Sequence, residues 1–309
     1  MRIGIVGTGT MGKNHARVYS ELKEVEYIYV FDLNKNNVTE MRKMGFIVCD
    51  SLDELLDCVD AVSICTPTKC HLDIARSAIA KNIHCLIEKP ITVSVEEGEE
   101  LLDLLKDKNI IVGVGHIERF NPIIDEIKKL IENPIFVEIR RHNPLSSRIT
   151  DSSVIEDLMI HDIDVVFNVL FNMKNYKIHS GGNNDVCKAM FTFDGRIASI
   201  SASRIACKKT RSIYIEDENF TIEGDFMTQE IYIYRKPEKY SMERDKYVQE
   251  NIIEKVLVNR VESLKMELKA FIDSIKKRTE FPITPVQALN NLKICEQIKT
   301  DLNSNLYSL

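Results

Sequence analysis

The stretch MRIGIVGTGTMG, residues 1–12, decides the fold of the N-terminal part of the chain. An apolar run leads directly into the pattern GxGxxG from Gly7 to Gly12, and a segment able to form a helix follows. In a dinucleotide-binding βαβ unit, such glycines let the backbone approach a pyrophosphate at the helix N-terminus. Asp32 lies 20 residues after Gly12, near the end of the next apolar run. The pattern alone also occurs in plain turns, but this context predicts a Rossmann domain.

The acidic residue predicts which dinucleotide is bound. A carboxylate at Asp32 would accept hydrogen bonds from the adenosine ribose and repel a 2′-phosphate, so we expect NAD rather than NADP. The residues of the turn are predicted to contact this cofactor: Gly7, Thr8, Gly9, Thr10, Met11 and Gly12.

Short apolar runs alternate with helical segments through about residue 118, which is typical of a parallel sheet. We therefore assign residues 1–118 to a Rossmann NAD-binding domain of the α/β class. Residues 119–309 are predicted to form a C-terminal α+β domain for substrate binding and oligomerisation. It would contain a large, mostly antiparallel sheet, because several apolar runs follow one another without helices between them.

Three local predictions belong to this second domain. Asp194-Gly195 is predicted to form a two-residue hairpin turn. The polar, charge-dense segment Arg235–Glu250 is predicted to be a loop. A long amphipathic helix is predicted over about Ile252–Lys277.

Composition excludes several classes of protein. The chain has 309 residues and a net charge of −6, which argues against non-specific nucleic-acid binding. No apolar run reaches the roughly 18 residues that a membrane span needs. The N-terminus lacks the pattern of a signal peptide, and the eight cysteines include no CxxC pair. We therefore expect a cytoplasmic protein with free thiols, no membrane or nucleic-acid partner, and a small-molecule substrate.

Polar residues follow the predicted strands of the first domain, where ligands bind in open parallel sheets. They are Thr66-Pro67, Glu88-Lys89-Pro90 and Gly115-His116. Lys89 ends an apolar strand and is predicted to point into the cleft, the alternative being a solvated surface lysine. His71 is predicted near the nicotinamide, although a role in helix capping or in the core fits it equally.

A second group of polar residues lies on the predicted helix Val154–Phe171. Asp157, His161, Asp164 and Asn168 fall on one stripe of this otherwise apolar helix. The stripe predicts a cleft, and the alternative is a buried hydrogen-bonded cluster. Asp157 and His161 could share a metal ion, but no third ligand suggests itself, and we predict no metal site.

These parts match the requirements for oxidation of a secondary alcohol. The reaction needs a hydride acceptor, which the dinucleotide supplies, and a base, for which a histidine is suited. It also needs a group that stabilises the developing alkoxide, for which a lysine ammonium is suited.

The whole chain resembles the Gfo/Idh/MocA family of NAD(P)-dependent sugar and inositol oxidoreductases. The resemblance implies that Lys89 and His161 are the catalytic pair and that Asp157 orients His161 or binds substrate. The matching motifs are the Gly7–Gly12 pattern, Thr66-Pro67 with His71, Glu88-Lys89-Pro90, Arg119-Phe120-Asn121-Pro122 and Asp157–His161. They imply cofactor contacts by Thr66, Pro67, His71, Glu88 and Lys89, and substrate contacts by Lys89, Arg119, Arg148, Asp157 and His161.

Within that family, the segments 114–122 and 140–144 resemble the branch that oxidises UDP-N-acetylglucosamine at its 3-hydroxyl. A diphosphate would need cations, which Arg140, Arg141, His142 and Arg148 could supply, although a solvated basic loop is an equal alternative. An inositol or a free aldose is the alternative substrate. NAD-dependent glycoside hydrolysis is an alternative of another class. The antiparallel sheet predicts a homodimer or homotetramer, since an uncovered sheet face is usually an interface.

Overall fold

The computed structural model describes residues 1–144, 152–171, 175–236, 240–243, 246–249 and 252–306. The chain forms two compact units. Unit 1 contains residues 1–120 and 262–293, and unit 2 contains residues 121–261 and 294–309. The first change of unit falls after residue 120, and residues 262–293 return to unit 1. None of the helices in the described ranges has the length and hydropathy to cross a membrane.

Unit 1 is built on a six-stranded parallel sheet with the strand order β3-β2-β1-β4-β5-β6. The residues of β4 are all buried, as expected of a central strand covered on both faces. This order confirms the predicted Rossmann fold. Its strands are β1 Arg2–Val6, β2 Tyr27–Phe31, β3 Ile47–Val48, β4 Ala61–Ile64, β5 His84–Glu88 and β6 Val112–Gly115, and its first helices are α1 Thr10–Ser20, α2 Lys35–Lys43, α3 Leu52–Cys58, α4 His71–Ala80 and α5 Val95–Leu104.

Unit 2 is built on an eight-stranded sheet with the strand order β16-β13-β12-β11-β7-β10-β9-β8. Among its described strands, β7 and β10 pair in parallel and the other neighbours are antiparallel, which confirms the expected architecture. Its elements are α6 Pro122–Leu130, β7 Phe136–His142, α7 Ile160–Val165, β8 Lys177–Gly182, β9 Val186–Phe193, β10 Arg196–Ser203, β11 Thr210–Glu216, β12 Phe220–Asp225, β13 Glu230–Arg235, β14 Tyr240–Glu243, β15 Lys246–Gln249 and β16 Ile252–Val256.

The local predictions for unit 2 have different outcomes. Asp194 and Gly195 form the expected hairpin turn, with φ values of 45° and 76° and with Phe193 paired to Arg196. The loop predicted over Arg235–Glu250 is wrong in part, because β14 and β15 pair within it. The helix predicted over Ile252–Lys277 is also wrong at its start.

The first part of that segment is an edge strand. β16 pairs with β13 from Ile252 to Val256, and the helix α8 covers Ser263–Lys277. The β-branched residues Ile252, Ile253 and Val256 suit a pleated strand, and β13 supplies the hydrogen-bonding partner that a sequence pattern does not reveal. The last helix, α9 Pro285–Leu306, begins with a capping box: Gln287 N donates to Thr284 Oγ1, and Thr284 N donates to Gln287 Oε1.

Candidate functional site

The glycine-rich turn, residues 7–12, brings backbone from two parts of unit 1 into close contact. Gly7 has a φ of +86°, and a Cβ on it would lie 2.8 Å from the carbonyl oxygen of Cys65. A Cβ on Gly12 would lie 1.9 Å from the carbonyl oxygen of Gly7. Only glycine fits these two positions. A Cβ on Gly9 would meet no atom within 4 Å. The turn therefore leaves open space at the N-terminus of α1, where a ligand can approach.

Helix α1 starts without a side-chain cap, in contrast to α2, α3 and α5. Asn34, Ser51 and Ser94 accept hydrogen bonds at the starts of α2, α3 and α5, whereas Gly9 offers no side chain at the start of α1. The first backbone N–H groups of α1 therefore remain available to an anion, and the helix dipole favours negative charge there. The turn and the helix start fit the pyrophosphate of a dinucleotide.

Asp32 lies just after β2 and is held by several donors. Its carboxylate accepts hydrogen bonds from Thr8, from the backbone N–H of Asn34 at 2.7 Å and from Asn37 Nδ2 at 3.0 Å. Burial opposes ionisation, but these hydrogen bonds outweigh it and hold the pKa of Asp32 below its ordinary value. The structure thus places a half-buried negative charge beside the glycine-rich turn, where a ribose would need an acceptor.

His71 connects the two loops that follow β4 and β5. Its Nε2 lies 2.9 Å from the carbonyl oxygen of Thr66, and its Nδ1 lies 2.9 Å from that of Pro90. Burial lowers its pKa, and the ring is 1% exposed. This arrangement favours a role in positioning the Thr66-Pro67 and Lys89-Pro90 segments. The hydroxyl of Thr66 is buried without a hydrogen-bond partner in the described part of the chain, and a bound dinucleotide would offer one.

Glu88 ends β5 and directly precedes Lys89. Its Oε1 lies 3.0 Å from Nε2 of His15, which projects from α1. Burial opposes ionisation of Glu88, but the hydrogen bond from His15 and the charge of Lys89 outweigh it, so the pKa of Glu88 is lowered. Lys89 is half-buried and precedes Pro90 through a cis peptide bond. Glu88 is thereby fixed as an anion immediately before the lysine.

Arg119 lies at the end of unit 1, within a 3₁₀ turn over Ile117–Phe120. Its Nη1 donates to the carbonyl oxygen of Pro282 at 2.8 Å and to Oε1 of Gln287 at 3.0 Å. These contacts give Arg119 a structural task inside unit 1. Its predicted contact with substrate stays a prediction.

The predicted helix of unit 2 is helical from residue 155 to residue 170, with an unexpected geometry; we call it the candidate helix. Its middle, α7, is an α-helix, and it is flanked by π-helical segments over Ile155–Met159 and Val166–Leu170. π-helical turns are rare and occur frequently at functional sites. His161 is 9% exposed and Asp157 is half-buried. Asn168 donates to Asp164 Oδ1 at 3.0 Å, so this pair of the stripe is satisfied within the helix.

A buried ion pair that the sequence analysis missed lies next to His161. Arg141 and Asp162 are 1% and 0% exposed, and the guanidinium donates to both carboxylate oxygens through Nε at 3.1 and 3.0 Å and through Nη2 at 2.6 Å. Arg141 also lies 5.6 Å from the ring of Phe226. A signal was present in the sequence: Val137, Ile139 and Arg141 alternate on the buried face of β7, where an arginine requires an acidic partner.

The basic segment after residue 139 is therefore not one cationic surface. Arg141 faces the core, so its expected role as a phosphate ligand is wrong. Arg140 and His142 alternate with it on β7, and the Arg140 side chain is 52% exposed. His142 lies 3.0 Å from the Ser201 hydroxyl, and burial and the charge of Arg140 lower its pKa. Arg148 lies outside the described residues.

Comparisons with known proteins identify the family of the chain and several of its relatives. The sequence profile of the GFO_IDH_MocA family, described as an oxidoreductase family with an NAD-binding Rossmann fold, matches residues 1–116. The chain is 32% identical to UDP-N-acetylglucosamine 3-dehydrogenase of Acidithiobacillus ferrooxidans over 245 residues, which cover 76% of this chain and 77% of that one. It is 29% identical to glucose-6-phosphate 3-dehydrogenase of Bacillus subtilis over about half of each chain.

A solved structure extends the likeness to the whole chain. The structure of UDP-N-acetylglucosamine 3-dehydrogenase from Acidithiobacillus ferrooxidans superposes with a TM-score of 0.89 and 27% identity, and the alignment covers 98% of both chains. The similarity therefore includes unit 2, where the candidate helix lies.

Proposed function

The chain belongs to the Gfo/Idh/MocA oxidoreductase family, and from that membership we propose that it uses NAD to oxidise the 3-hydroxyl of UDP-N-acetylglucosamine to a ketone. The proposal rests on the occurrence of two side chains, a lysine and a histidine, at particular places in this chain. Lys89 follows directly on the last residue of β5, and His161 lies on a buried helix flanked by π-helical turns. These are the side chains that oxidation of an alcohol requires.

The cofactor would be held by unit 1. The glycine-rich turn and the start of α1 would receive the pyrophosphate, and Asp32 would accept hydrogen bonds from the adenosine ribose. The Thr66 hydroxyl and the Glu88-Lys89 segment would border the nicotinamide half. When bound, NAD supplies the hydride acceptor. The negative charge of Asp32 supports NAD as the preferred form, because it would repel a 2′-phosphate.

His161 would act as the general base. In this role a ring nitrogen of its neutral imidazole takes the proton of the substrate hydroxyl as the carbon–hydrogen bond breaks. Asp157, four residues earlier on the candidate helix, would orient the imidazole or bind a neighbouring hydroxyl. The ammonium of Lys89 would stabilise the negative charge that develops on the substrate oxygen. A base of this kind typically contributes roughly 10²–10⁴-fold to the rate.

The identity of the substrate rests on different support. The relative that is similar over 76% of this chain carries UDP-N-acetylglucosamine in its name, and the glucose-6-phosphate relative also acts at a 3-hydroxyl by its name. Arg140 presents an exposed guanidinium on β7, and Arg148 follows in sequence. Guanidinium groups suit phosphate oxygens. We therefore expect these two arginines to contribute to the recognition of a diphosphate.

The proposed assembly is a homodimer or homotetramer that uses unit 2. One face of its large sheet, which we call the outer face, carries several large apolar side chains that are half-buried or exposed. They include Phe136, Met190, Ile197, Tyr214 and Tyr232, and the strand registers place them on the same side. Accessible large apolar side chains on one sheet face support contact with a second copy of the chain.

The decisive experiment traces a deuterium label from C3 of the sugar to the NADH that is formed. Purified protein is incubated with NAD and UDP-N-acetylglucosamine carrying deuterium at C3, and the NADH formed is analysed by mass spectrometry. We expect deuterium in the NADH and a 3-keto sugar nucleotide as product. NADH without deuterium would reject oxidation at this carbon. The H161A variant serves as the control for contaminating dehydrogenases.

Parallel assays separate the alternatives. If myo-inositol or free glucose gives faster NADH formation than the UDP-sugar, the nucleotide proposal fails. If a glycoside is cleaved without net NADH formation, the protein is a hydrolase. In the R140A and R148A variants we expect a raised KM for the UDP-sugar and an unchanged KM for any free sugar that reacts.

A further inference from the structure

Glu267 is a buried acidic residue to which the proposed reaction assigns no task. It lies on α8, inside unit 1, and is 0% exposed. Neither of its carboxyl oxygens has a hydrogen-bond partner in the described ranges of the chain. Folded proteins rarely leave such a group unsatisfied, because burial of a carboxyl without hydrogen bonds is costly. Its position therefore calls for a physical explanation.

The surroundings of Glu267 determine its protonation state. Burial raises its pKa well above the ordinary value, and the negative charge of Glu88 raises it further. Glu267 also acts electrostatically on Tyr19 of α1 and on Cys65 after β4. Because Glu88 is the anion of the two acids, burial and the charge of Glu88 both favour the protonated, uncharged form of Glu267. It is thus a hydrogen-bond donor as well as an acceptor.

The histidine that contacts Glu88 also has a buried ring nitrogen without a hydrogen-bond partner among the described residues. His15 is 0% exposed, and its Nε2 lies within hydrogen-bond distance of Glu88. Its Nδ1 is buried and has no partner among the residues that the structure describes. If Nε2 donates to the Glu88 carboxylate and Nδ1 carries no hydrogen, Nδ1 is an acceptor. The cluster then lacks one donor, and α8, which packs on α1, carries a protonated carboxyl.

We propose that Glu267 is a positioning residue for Lys89: its protonated carboxyl donates a hydrogen bond, through one buried water molecule, to the Glu88–His15 pair. A bridging water is suited to the three unsatisfied atoms, the two oxygens of Glu267 and Nδ1 of His15. The bond would hold the His15 tautomer that donates to Glu88. A fixed Glu88 in turn fixes the backbone from which Lys89 projects. That Lys89 matters for catalysis depends on the proposed function. The hydrogen-bond network of Glu267, His15 and Glu88 does not depend on it and can be tested separately.

Two variants of Glu267 test this role. The amide in E267Q can still donate a hydrogen bond, whereas the side chain in E267L cannot. We expect E267Q to retain kcat within about twofold, and E267L to lose roughly tenfold or more, because small misplacements of a catalytic group are costly. The KM for NAD should change little in both. D273L, which removes a half-exposed acid from the same helix, is the matched control and should keep wild-type kcat.

The thermal unfolding temperature separates positioning from simple stabilisation. E267L loses the proposed water-mediated hydrogen bond but also removes a buried carboxyl and adds apolar surface, and because these effects oppose each other, its unfolding temperature should stay close to that of the wild type. A loss of kcat without a loss of stability supports the proposal. E267L with wild-type kcat would overturn it, and so would E267Q with the same loss as E267L.

Two spectroscopic measurements need no sugar substrate and therefore distinguish failure of this proposal from failure of the proposed function. Infrared spectra of the wild type at neutral pH should contain a protonated-carboxyl C=O band that E267Q lacks. Nitrogen-15 NMR should show His15 protonated at Nε2 and not at Nδ1, with this preference reduced in E267L. Absence of the carboxyl band would overturn the proposal.

A metal ion is the competing explanation for the cluster. Ligand atoms of His15, Cys65 and Glu88 lie within 4.8 Å of one another. We expect less than stoichiometric zinc in the purified protein and no change of activity in C65S. Zinc bound at one equivalent and lost in C65S would overturn the hydrogen-bond proposal.

Discussion

The carboxylate of Asp32 accepts two hydrogen bonds from Thr8, one from its backbone N–H at 2.6 Å and one from its hydroxyl at 2.9 Å. The residue that carries the predicted cofactor preference therefore also anchors the glycine-rich turn. A substitution at Asp32 has two separable effects. It removes a negative charge from the proposed ribose site, and it loosens the turn proposed to bind the pyrophosphate.

For the D32S variant we expect weaker NAD binding and a reduced preference for NAD over NADP, because the charge that opposes the 2′-phosphate is gone. Calorimetric titration with both dinucleotides measures the two affinities. The T8V variant is the control: it removes the hydroxyl donor but keeps the Asp32 charge, so it should weaken both cofactors alike. Wild-type protein that binds NADP more tightly than NAD would contradict the assignment.

The H161A and K89A variants should each lose at least about 10²-fold in turnover, since each removes a group proposed to act on the reacting oxygen. NAD affinity should stay close to that of the wild type, because neither residue is proposed to contact the adenosine half. Steady-state assays at saturating NAD and UDP-sugar provide the test. His179, an exposed histidine in β8, supplies the control variant H179A, which should keep full activity. Near-normal turnover in H161A would contradict the assignment of His161 as the base and would mean that the polar stripe of the candidate helix has a structural role.

The ion pair between Arg141 and Asp162 should dominate the local stability of unit 2. Removal of one partner in R141M leaves a buried carboxylate without its counter-ion, and such a loss costs about 3–5 kcal/mol in the free energy of unfolding. The double variant R141M/D162L removes both charges and should recover much of that loss. Urea unfolding curves measure both values. Equal stability of R141M and the wild type would mean that the pair contributes little.

The outer face of the unit 2 sheet should mediate self-association. Ile197 is 36% exposed on this face, and a negative charge there would oppose burial against a second copy. We expect multi-angle light scattering to give a dimer or tetramer mass for the wild type and a lower mass for I197E. Leu257 is 88% exposed and provides the control L257E, which should leave the mass unchanged. A monomer mass for the wild type at micromolar concentration would refute the assembly.

Glu267 should make the stability of the protein depend on pH in a defined direction. Its folded-state pKa is raised, so the native state binds the proton more tightly than the unfolded state. The stabilising contribution is fully present below the unfolded pKa of about 4.3 and is lost as pH rises toward the folded pKa. Within this window the loss amounts to about 1.4 kcal/mol per pH unit. Unfolding of the wild type and E267Q across pH should therefore show the variant gaining relative stability as pH rises. A difference that is constant with pH would contradict the raised pKa.

Local patterns were sufficient for the Rossmann unit because its signals are short in range. The glycine-rich turn, the spacing to Asp32 and the alternation of strands with helices all report on neighbouring residues, and the six-stranded parallel sheet follows from them. The hairpin turn at Asp194-Gly195 likewise depends on the backbone conformations of these two residues. The stripe from Asp157 to Asn168 was visible for the same reason, since helical periodicity links residues four apart.

Other features depend on partners that are distant in sequence. Ile252 to Val256 form a strand because β13 supplies a ladder of hydrogen bonds, not because their pattern excludes a helix. Arg141 is paired with a carboxylate 21 residues away, and burial rather than residue type decides that it stabilises the core. Glu267 lies 179 residues after Glu88 in the chain, yet folding places the two acids in one electrostatic cluster. The sequence by itself thus determined the nucleotide-binding unit and the residue types suited to the chemistry. Tertiary structure decided which charges are buried, which are paired and which keep a proton, because desolvation and Coulomb energies depend on distances that no local pattern encodes.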